Sequence, residues 1–490
     1  MTAVLAPVIA SERPSAVWLP GATVGKRLDA TYYAVDFLRL DDVVNRHPRD
    51  SVRALGSLLS DPRRVLYMNT DTYSKEELSD GVPFISGVDI DPDTMSVRWD
   101  SVRRVEKTMC QRYPRGLLFD GALLIKVKGP NQLAAYIERS PKPTLVSGTF
   151  SMAAVKEVDP WYLVAYLVHD YAQSWRTRLR QNITVEFTPY DELAEIPVIV
   201  PNDGVQKAIG NKLRKAERLR QRSLLSQSEA RREIDCLFTV KAATDDVPYG
   251  WMQARELEED RLDSWFYQPS YRNMRDGVAA RSDLIPVSER AALVTQAVDF
   301  SNWPTADFEY FEISDVDLQV GTISSKRLSV SDAPSRAKYA VKTGDVLVST
   351  VRPNRKGVAI VGSRDLTAVC SSGFAVLRAN DVRTAYYLRA CLVHDLSTHQ
   401  LMRWNTGATY PAIDRTVPLT VKIPWPADDV VNRIGEALKR AGDELDEATS
   451  LLSAAQHYVD ALISGRLDEG QVIAEDRDIE EWLRSNPVCG

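Results

Sequence analysis

Histidine and cysteine are both scarce in this chain. Its 490 residues hold five of each, and Cys110, Cys236, Cys370, Cys391 and Cys489 stand singly, with no CxxC pair and no histidine at ligand spacing. That pattern argues against a zinc site and against a disulfide framework, so the five thiols read as reduced. No apolar run approaches the roughly 20 residues that cross a bilayer. The opening MTAVLAPVIASERPSA lacks the basic start of a secretory signal. A cytoplasmic location without a membrane partner is expected. No glycine-rich loop follows a strand-like run, so the usual signature of a dinucleotide or nucleotide cofactor is missing too. Net charge is small, with 61 Lys+Arg against 67 Asp+Glu for a total of -6. It is unevenly spread: residues 1–240 carry 33 basic against 30 acidic groups, and the remainder 28 against 37. A basic nucleic-acid face can therefore coexist with an acidic total.

An apolar share of 44% with 26% charged residues is that of an ordinary soluble globular protein. The length exceeds a single core and suggests two to four units. Near the C-terminus, Ile434, Leu438, Ala441, Leu445, Ala448, Leu452, Ala455, Val459 and Leu462 are spaced by alternating steps of four and three. Such spacing puts all nine on one seam of a helix, and the seam needs a partner. Shifting the sequence by 225 positions supplies one, because Pro426, Ile434, Gly435, Leu438, Ala441, Ala455, Val459 and Leu462 fall on Pro201, Ile209, Gly210, Leu213, Ala216, Ala230, Ile234 and Leu237. The same shift carries Leu167–Asp170 (LVHD) onto Leu392–Asp395, and Ser147-Gly148 onto Ser372-Gly373. Further upstream the shift is 234: Arg27-Leu28-Asp29 matches Arg261-Leu262-Asp263, and the aromatic pairs Tyr32-Tyr33 and Phe266-Tyr267 follow. The chain reads as a tandem duplication, each copy ending in a long helix.

Each copy has a mixed pattern, which predicts an α/β (α+β) fold. Strand-like runs occur at Val82–Ile90 and Phe308–Leu318, and again at Gly121–Gly129 and Gly344–Arg352. One helix around Tyr162–Arg178, or Tyr386–Trp404, carries LVHD, and the terminal helix is expected to project away. The long helices have opposite charge: Gly204–Asp235 has nine basic and four acidic residues, Asp428–Ile463 three and eight. That favours their pairing with each other. Helix-pairing positions are Ile209, Leu213, Ala216, Ile234 and Leu237 on one, and Ile434, Leu438, Leu445, Leu452, Val459 and Leu462 on the other. The first seam is broken by Arg220, Ser223 and Gln227, so its middle is expected to be open or to meet another subunit. The expected domains are a lead-in (1–24), a first globular domain (25–200), its helix (201–240), a second domain (241–425), its helix (426–465) and an acidic tail (466–490).

The ordered motifs RLD with trailing aromatics, YFEISDVDLQVGTI (Tyr310–Ile323), DAPSRAKYAVKTGDVLVSTVRPN (Asp332–Asn354), CSSGFAVLR (Cys370–Arg378), TGATYPAI (Thr406–Ile413) and VKIPWP before the last long helix together resemble the specificity (S) subunit of type I restriction-modification systems. The first copy is more divergent and lacks a clear TGATYPAI. The resemblance implies two tandem target-recognition domains, each reading half of a bipartite, asymmetric double-stranded DNA site, with the long helices packed as an antiparallel coiled coil. It also implies a chain that is not an enzyme. Two methyltransferase subunits would bring S-adenosylmethionine, and a restriction and translocase subunit recruited through them would bring ATP and magnesium. Independently, a helix of about 35 residues is roughly 50 Å long, on the scale of a turn of B-DNA at about 34 Å. Heptads and duplication thus suggest a spacer.

Within that frame Ser349, Thr350, Arg352, Asn354, Arg355 and Lys356 form a candidate DNA-binding loop. Arginine and asparagine suit guanine and adenine edges; lysine and hydroxyls suit phosphates. A solvated turn after a core strand is the competing reading. The first-copy counterparts are Lys126, Lys128, Asn131 and Gln132. A second candidate cluster is Arg403, Asn405, Thr406, Thr409 and Tyr410, which also reads as a helix C-cap with Gly407 in the left-handed position. Arg103, Arg104, Arg112 and Arg115, and Arg176, Arg178 and Arg180, are either phosphate contacts or a solvated charged face. His169 and His394 have no catalytic partner cluster and read as structural. Two other classes stand beside the resemblance. Asp159-Pro160-Trp161-Tyr162 faintly suggests a methyltransferase, and Asp120 with Lys126 and Lys128 a nuclease, but the cofactor loop and the completing acid are missing. An adaptor that binds proteins, or a specificity-like subunit of another phage-defence system, fits the acidic second helix and tail.

Overall fold

The computed structural model describes residues 30–64, 80–92, 94–129, 133–180, 186–240, 251–258, 261–362, 367–407 and 410–487. The first RLD motif, Asn131, Gln132, Thr409 and Cys489 lie outside the described residues. The chain forms two compact units, one taking the described residues up to Arg218 and from Ala448 onward, the other Leu219–Glu447. Each unit thus owns part of both long helices.

In the first unit the strands are β1 (Val52–Ala54), β2 (Leu59–Arg64), β3 (Val82–Ile85), β4 (Arg104–Val105), β5 (Ala122–Lys126), β6 (Ala134–Ile137), β7 (Leu145–Val146), β8 (Phe150–Val155) and β9 (Pro197–Ile199). Its helices are α1 (Val35–Val44), α2 (Thr108–Arg112), α3 (Pro160–Val168), α4 (Asp170–Leu179), α5 (Tyr190–Leu193) and the start of α6 (Asp203–Leu237). The second unit has β10 (Leu284–Pro286), β11 (Ala291–Leu293), β12 (Asp307–Phe311), β13 (Lys326–Ser329), β14 (Ala337–Val341), β15 (Val346–Ser349), β16 (Val358–Ile360), β17 (Ala368–Ser371), β18 (Phe374–Ala379) and β19 (Lys422–Pro424). It adds α7 (Pro269–Ala279), α8 (Val382–Leu392), α9 (Asp395–Arg403), α10 (Val417–Thr420) and the start of α11 (Asp428–Ile463). After α11 come α12 (Glu469–Glu475) and α13 (Arg477–Ser485) in the first unit.

The duplication is legible strand by strand. Sheet order β2-β8-β5-β6 in the first unit repeats as β11-β18-β15-β16 in the second, and β4-β3-β7 repeats as β13-β12-β17. The parallel pair β3·β7 has its equal in β12·β17, and the ribbon β1·β9 in β10·β19. Among the described residues the second unit adds one strand, β14, which lies at a sheet edge and alternates, with Ala337, Tyr339 and Val341 inward and Lys338 and Ala340 outward. That is the burial expected of a strand covered on one face. Gly121 and Gly344 lead β5 and β15 at φ +79° and +85°, a conformation glycine adopts without side-chain strain. Each donates its N–H at 2.8 Å, to Ile137 and Val361 respectively.

Where one helix was expected around LVHD there are two, α3 then α4, and α8 then α9. The histidine marks the break. His169 and His394 sit in extended backbone, and Nδ1 accepts the N–H of Tyr171 at 3.2 Å and of Leu396 at 3.1 Å. A side chain that caps a new helix ends the old one. Asp159, suspected as part of a methyltransferase motif, caps α3 in the same way, accepting from Trp161 and Tyr162. Asp120 pairs with Lys142 at 2.9 Å.

The long helices do not simply project, because their ends are built into the cores. In the first unit Val205, Ile209 and Leu213 of α6 share a buried cluster with Ala455, Val459 and Leu462 of α11, and Leu452 packs on it. In the second, Ala230 and Ile234 share one with Ile434 and Leu438, with Leu237 against it. Ala216 and Leu445 are buried as well. In the second unit the two run antiparallel, Arg222 pairing with Glu444 and Glu233 with Arg433. Close approach of α6 to the start of α3 and of α11 to the start of α8 is secured at Gly210 and Gly435: an added Cβ would lie 2.3 Å from Asp159 Oδ1 and 2.4 Å from the Arg383 carbonyl. Tyr162, fully buried, donates its hydroxyl to the Ile199 carbonyl, and Tyr387, 225 residues on, donates to Pro424 at 2.9 Å, tying each helical layer to the strand that precedes its long helix.

The interrupted middle of α6 is closed rather than open. Ser223 is fully buried and Arg220 nearly so. Gln227 donates to the Ser223 hydroxyl at 3.2 Å. The acidic tail is folded against α6. Asn211 donates to Asp476 at 2.8 Å, Arg218 to the carbonyls of Leu483 and Asn486, and the Lys215 ammonium lies 5.0 Å from the Trp482 ring centre. The basic first helix thereby acquires an acidic cover.

Candidate nucleic-acid interface

The chain between β15 and β16 turns through residues 350–357. β15 is buried along its whole length, so the change of direction falls on the loop. Arg352 and Lys356 take left-handed backbone at φ 52° and 58°, and Pro353–Arg355 forms one tight helical turn between them. Left-handed conformations at residues with a Cβ cost on the order of 1 kcal/mol each and persist where neighbours impose them. Here the neighbour is the segment after α9. Arg352 donates its N–H to Pro411 at 2.7 Å, Ile413 donates to Thr350 at 3.0 Å, and Val351 bridges Ala412.

That clasp joins the two polar clusters, distant in sequence, into one surface. The Arg352 guanidinium lies 4.3 Å from the ring centre of Tyr410, and Tyr410 is 57% exposed. Asn354, Arg355 and Thr406 are exposed, and Lys356 reaches Asp395 at the start of α9. The Lys356 ammonium, chiefly by its hydrogen bond, holds the Asp395 carboxyl below the usual range.

Four of the candidate residues turn inward. Ser349 donates to the Val351 carbonyl at 2.7 Å and Thr350 to Gly373 at 2.9 Å, both buried. Their hydroxyls hold the loop and are not presented to a phosphate. Asn405 accepts from the N–H groups of Gly407 and Ala412, so it shapes the turn. Arg403 is buried over the Phe266 ring at 3.7 Å and donates to Glu258 at 2.9 Å.

The first unit repeats the clasp. Gly129 donates to Glu186 at 2.9 Å, Thr188 to Val127 at 3.0 Å, and Lys128 bridges Phe187. Gly129, at φ +87°, stands where Arg352 stands. Residues 186–188 thus fill the place of the absent TGATYPAI, a place the 225-residue shift marks by mapping Phe187 onto Ala412. Lys126 corresponds to Ser349 and is half-buried; burial, and after it the Arg176 charge, hold its amine below the ordinary value.

The basic clusters divide. Arg103, Arg104, Arg112 and Arg115 are exposed. Arg176 and Arg178 are buried, contrary to either expectation for them. Arg176 donates to the Lys126 carbonyl, and burial lowers its pKa to about 9. Arg178 stacks on Tyr32 at 4.3 Å and pairs with Asp41, as its repeat Arg403 stacks on Phe266. The aromatic pairs after RLD are therefore seats for buried arginines. The signal was present, since 178 and 403 differ by 225, but a basic cluster read locally hides it.

Burial lowers the pKa of His169 and His394, and among the described residues no cluster of acids, cysteines and histidines could hold a metal. Cys370 and Cys391 are buried, and desolvation raises both thiols, Cys370 to about 12. No described helix is long and apolar enough to cross a membrane.

Comparison with known proteins gives no matching family model and no matching curated protein. Similar solved structures include the S subunit of a type I restriction-modification system from M. genitalium, at 14% identity over 85% of this chain and 96% of that one, with a TM-score of 0.43. A chain from a study of complex assembly and conformational transition in a type I R-M system is similar at 15% identity, covering 85% and 98%, with a TM-score of 0.31. The HsdS subunit from Thermoanaerobacter tengcongensis is similar at 14% identity, covering 86% and 98%, with a TM-score of 0.29.

Proposed function

We propose that this chain is the DNA-specificity subunit of a type I restriction-modification complex. Its two recognition domains read the unlike halves of a split double-stranded site. The subunit joins two methyltransferase subunits and, through them, the restriction and translocase subunit. The observation that carries the reading is the loop clasp built twice, once per unit, which in the second unit exposes Asn354, Arg355, Thr406 and Tyr410 beside Arg352 and Lys356. Arginine and asparagine on that surface suit base edges, lysine and threonine suit phosphates, and an exposed tyrosine ring suits a sugar or base face.

The two halves of the site differ because the loops differ: Lys128-Gly129 stand in one where Val351-Arg352 stand in the other. In this reading the chain performs no chemistry. S-adenosylmethionine belongs to the methyltransferase, ATP and magnesium to the restriction subunit. Methylome sequencing of a strain with and without the gene tests the proposal. Adenine methylation in both halves of an interrupted, asymmetric motif is expected to vanish with the gene. Methylation confined to one continuous motif, or none dependent on the gene, would refute it.

A further inference from the structure

In the second unit a cleft of about 190 Å³ opens between α7, the end of α9 and β19. Met274, Val278 and Trp404 give it apolar walls, while Arg275, Arg403 and Lys422 bring three cations to it. Its other polar side chains are committed elsewhere. Gln400 donates to the Lys422 carbonyl at 2.9 Å and accepts from the Lys422 N–H at 2.8 Å, and Thr420 donates to Val417 at 2.8 Å. The charged side chains that line the cleft are all cationic.

Arg403 departs from its repeat in one respect. Arg178 donates Nε to the Tyr32 carbonyl at 3.1 Å, Nη1 to Asp41 at 2.9 Å, and stacks on Tyr32. Arg403 keeps the ring and the acid, but among the described residues its Nε has no hydrogen-bond partner, although the residue is only 9% exposed. A buried donor left unpaired costs about 1–3 kcal/mol. Burial, and less strongly the nearby Arg275 charge, lower the Arg403 pKa, while Glu258 opposes them. Asp276 pairs with Arg275 at 2.9 Å and Glu258 with Arg403, so two carboxylates face three cations.

From this geometry we infer that the cleft is a phosphate-binding site. A guanidinium fork and a compact ammonium match the oxygens of a phosphate. Apolar walls lower the local dielectric and strengthen the attraction. The phosphate comes either from a DNA backbone bound by this domain, a source that rests on the proposed function, or from solution.

Isothermal titration of the full chain with inorganic phosphate tests the site, using the Arg275→Gln/Lys422→Gln double variant and, as a charge control outside the cleft, Arg281→Gln. Saturable binding by the parent and the control is expected, weakened at least about tenfold in the double variant, as for loss of hydrogen bonds to a charged group. Thermal unfolding checks that the variants are folded. Binding to a random-sequence duplex across a salt series identifies the source. A fall of about 1–2 in the salt slope for the double variant marks the DNA backbone; an unchanged slope with lost phosphate binding marks phosphate from solution. The inference is overturned if the parent binds no phosphate saturably, or if the folded double variant binds it as the parent does. A chain that binds phosphate but no duplex would sink the proposed function and leave the cleft standing.

Discussion

Ser223 on α6 donates its hydroxyl to the carbonyl of Ala441 on α11 at 2.7 Å, with no solvent exposure. On either side, Arg222 pairs with Glu444 and Glu233 with Arg433, each at 2.8 Å. As numbers rise along α6 they fall along α11, and the polar break in the apolar seam becomes a fixed point of register. A buried hydrogen bond contributes about 0.5–1.5 kcal/mol. Ser223→Ala should lower stability by that order, whereas Ser223→Leu should cost more by overfilling a closed site. Denaturant titration of the two variants decides it: if Leu stabilises, the middle is a cavity and not a pin.

The paired glycines give a second test. A Cβ at Gly435 would meet the backbone carbonyl of Arg383, and one at Gly210 the Asp159 carboxylate and the Tyr162 N–H. Overpacking costs about 1–3 kcal/mol, against a helix-propensity gain of about 1 kcal/mol for Gly→Ala. Both substitutions should lower the thermal midpoint; a rise in both would mean that close approach is not what glycine supplies.

On the candidate interface, exposed and buried residues should separate by phenotype. Arg355→Ala and Asn354→Ala should leave stability within about 0.5 kcal/mol and relax methylation specificity in one half-site. Asn405→Ala should act first on stability, because the Asn405 side chain holds Gly407 and Ala412. Equal specificity losses from Asn405 and Arg355 would contradict the sorting.

The repeated histidines are caps, so His394→Asn should be tolerated and His394→Ala should cost about 1 kcal/mol. Methylation by the complex should follow the folded fraction in both. Loss of methylation in well-folded His394→Asn would reopen a chemical role.

Asp476 predicts a pH dependence for the docked tail. Burial, the leading cause, raises its pKa to about 6 from an ordinary 3.8; Glu480 adds to this, while Asn211, Lys212 and Arg214 oppose it. The folded state therefore holds its proton more tightly than the unfolded chain. The stability this gives is fully present below about pH 4 and is lost as pH rises through about 6. Protection of residues 466–487 from proteolysis should fall between pH 5 and pH 8 in the parent. It should stay level in Asp476→Asn, and a parent profile that rises with pH would contradict the assignment.

Much of the architecture is legible in the sequence itself. Heptad spacing is a local property, and repetition at 225 residues survives any fold, so the duplication, both long helices and most of their apolar seams could be read directly. Polar residues were harder to place. Ser349, Thr350, Asn405 and Arg403 look as exposed in sequence as Arg355 or Tyr410, yet their partners are carbonyls, rings and acids up to 145 residues away. The clasp that unites 350–352 with 411–413, the break at each LVHD histidine, and the docking of an acidic tail on α6 depend on hydrogen bonds that the sequence does not announce. Periodicity reports which side of one element is apolar. It carries no information about which loop crosses which, and that crossing settles whether a charge meets solvent or a buried partner.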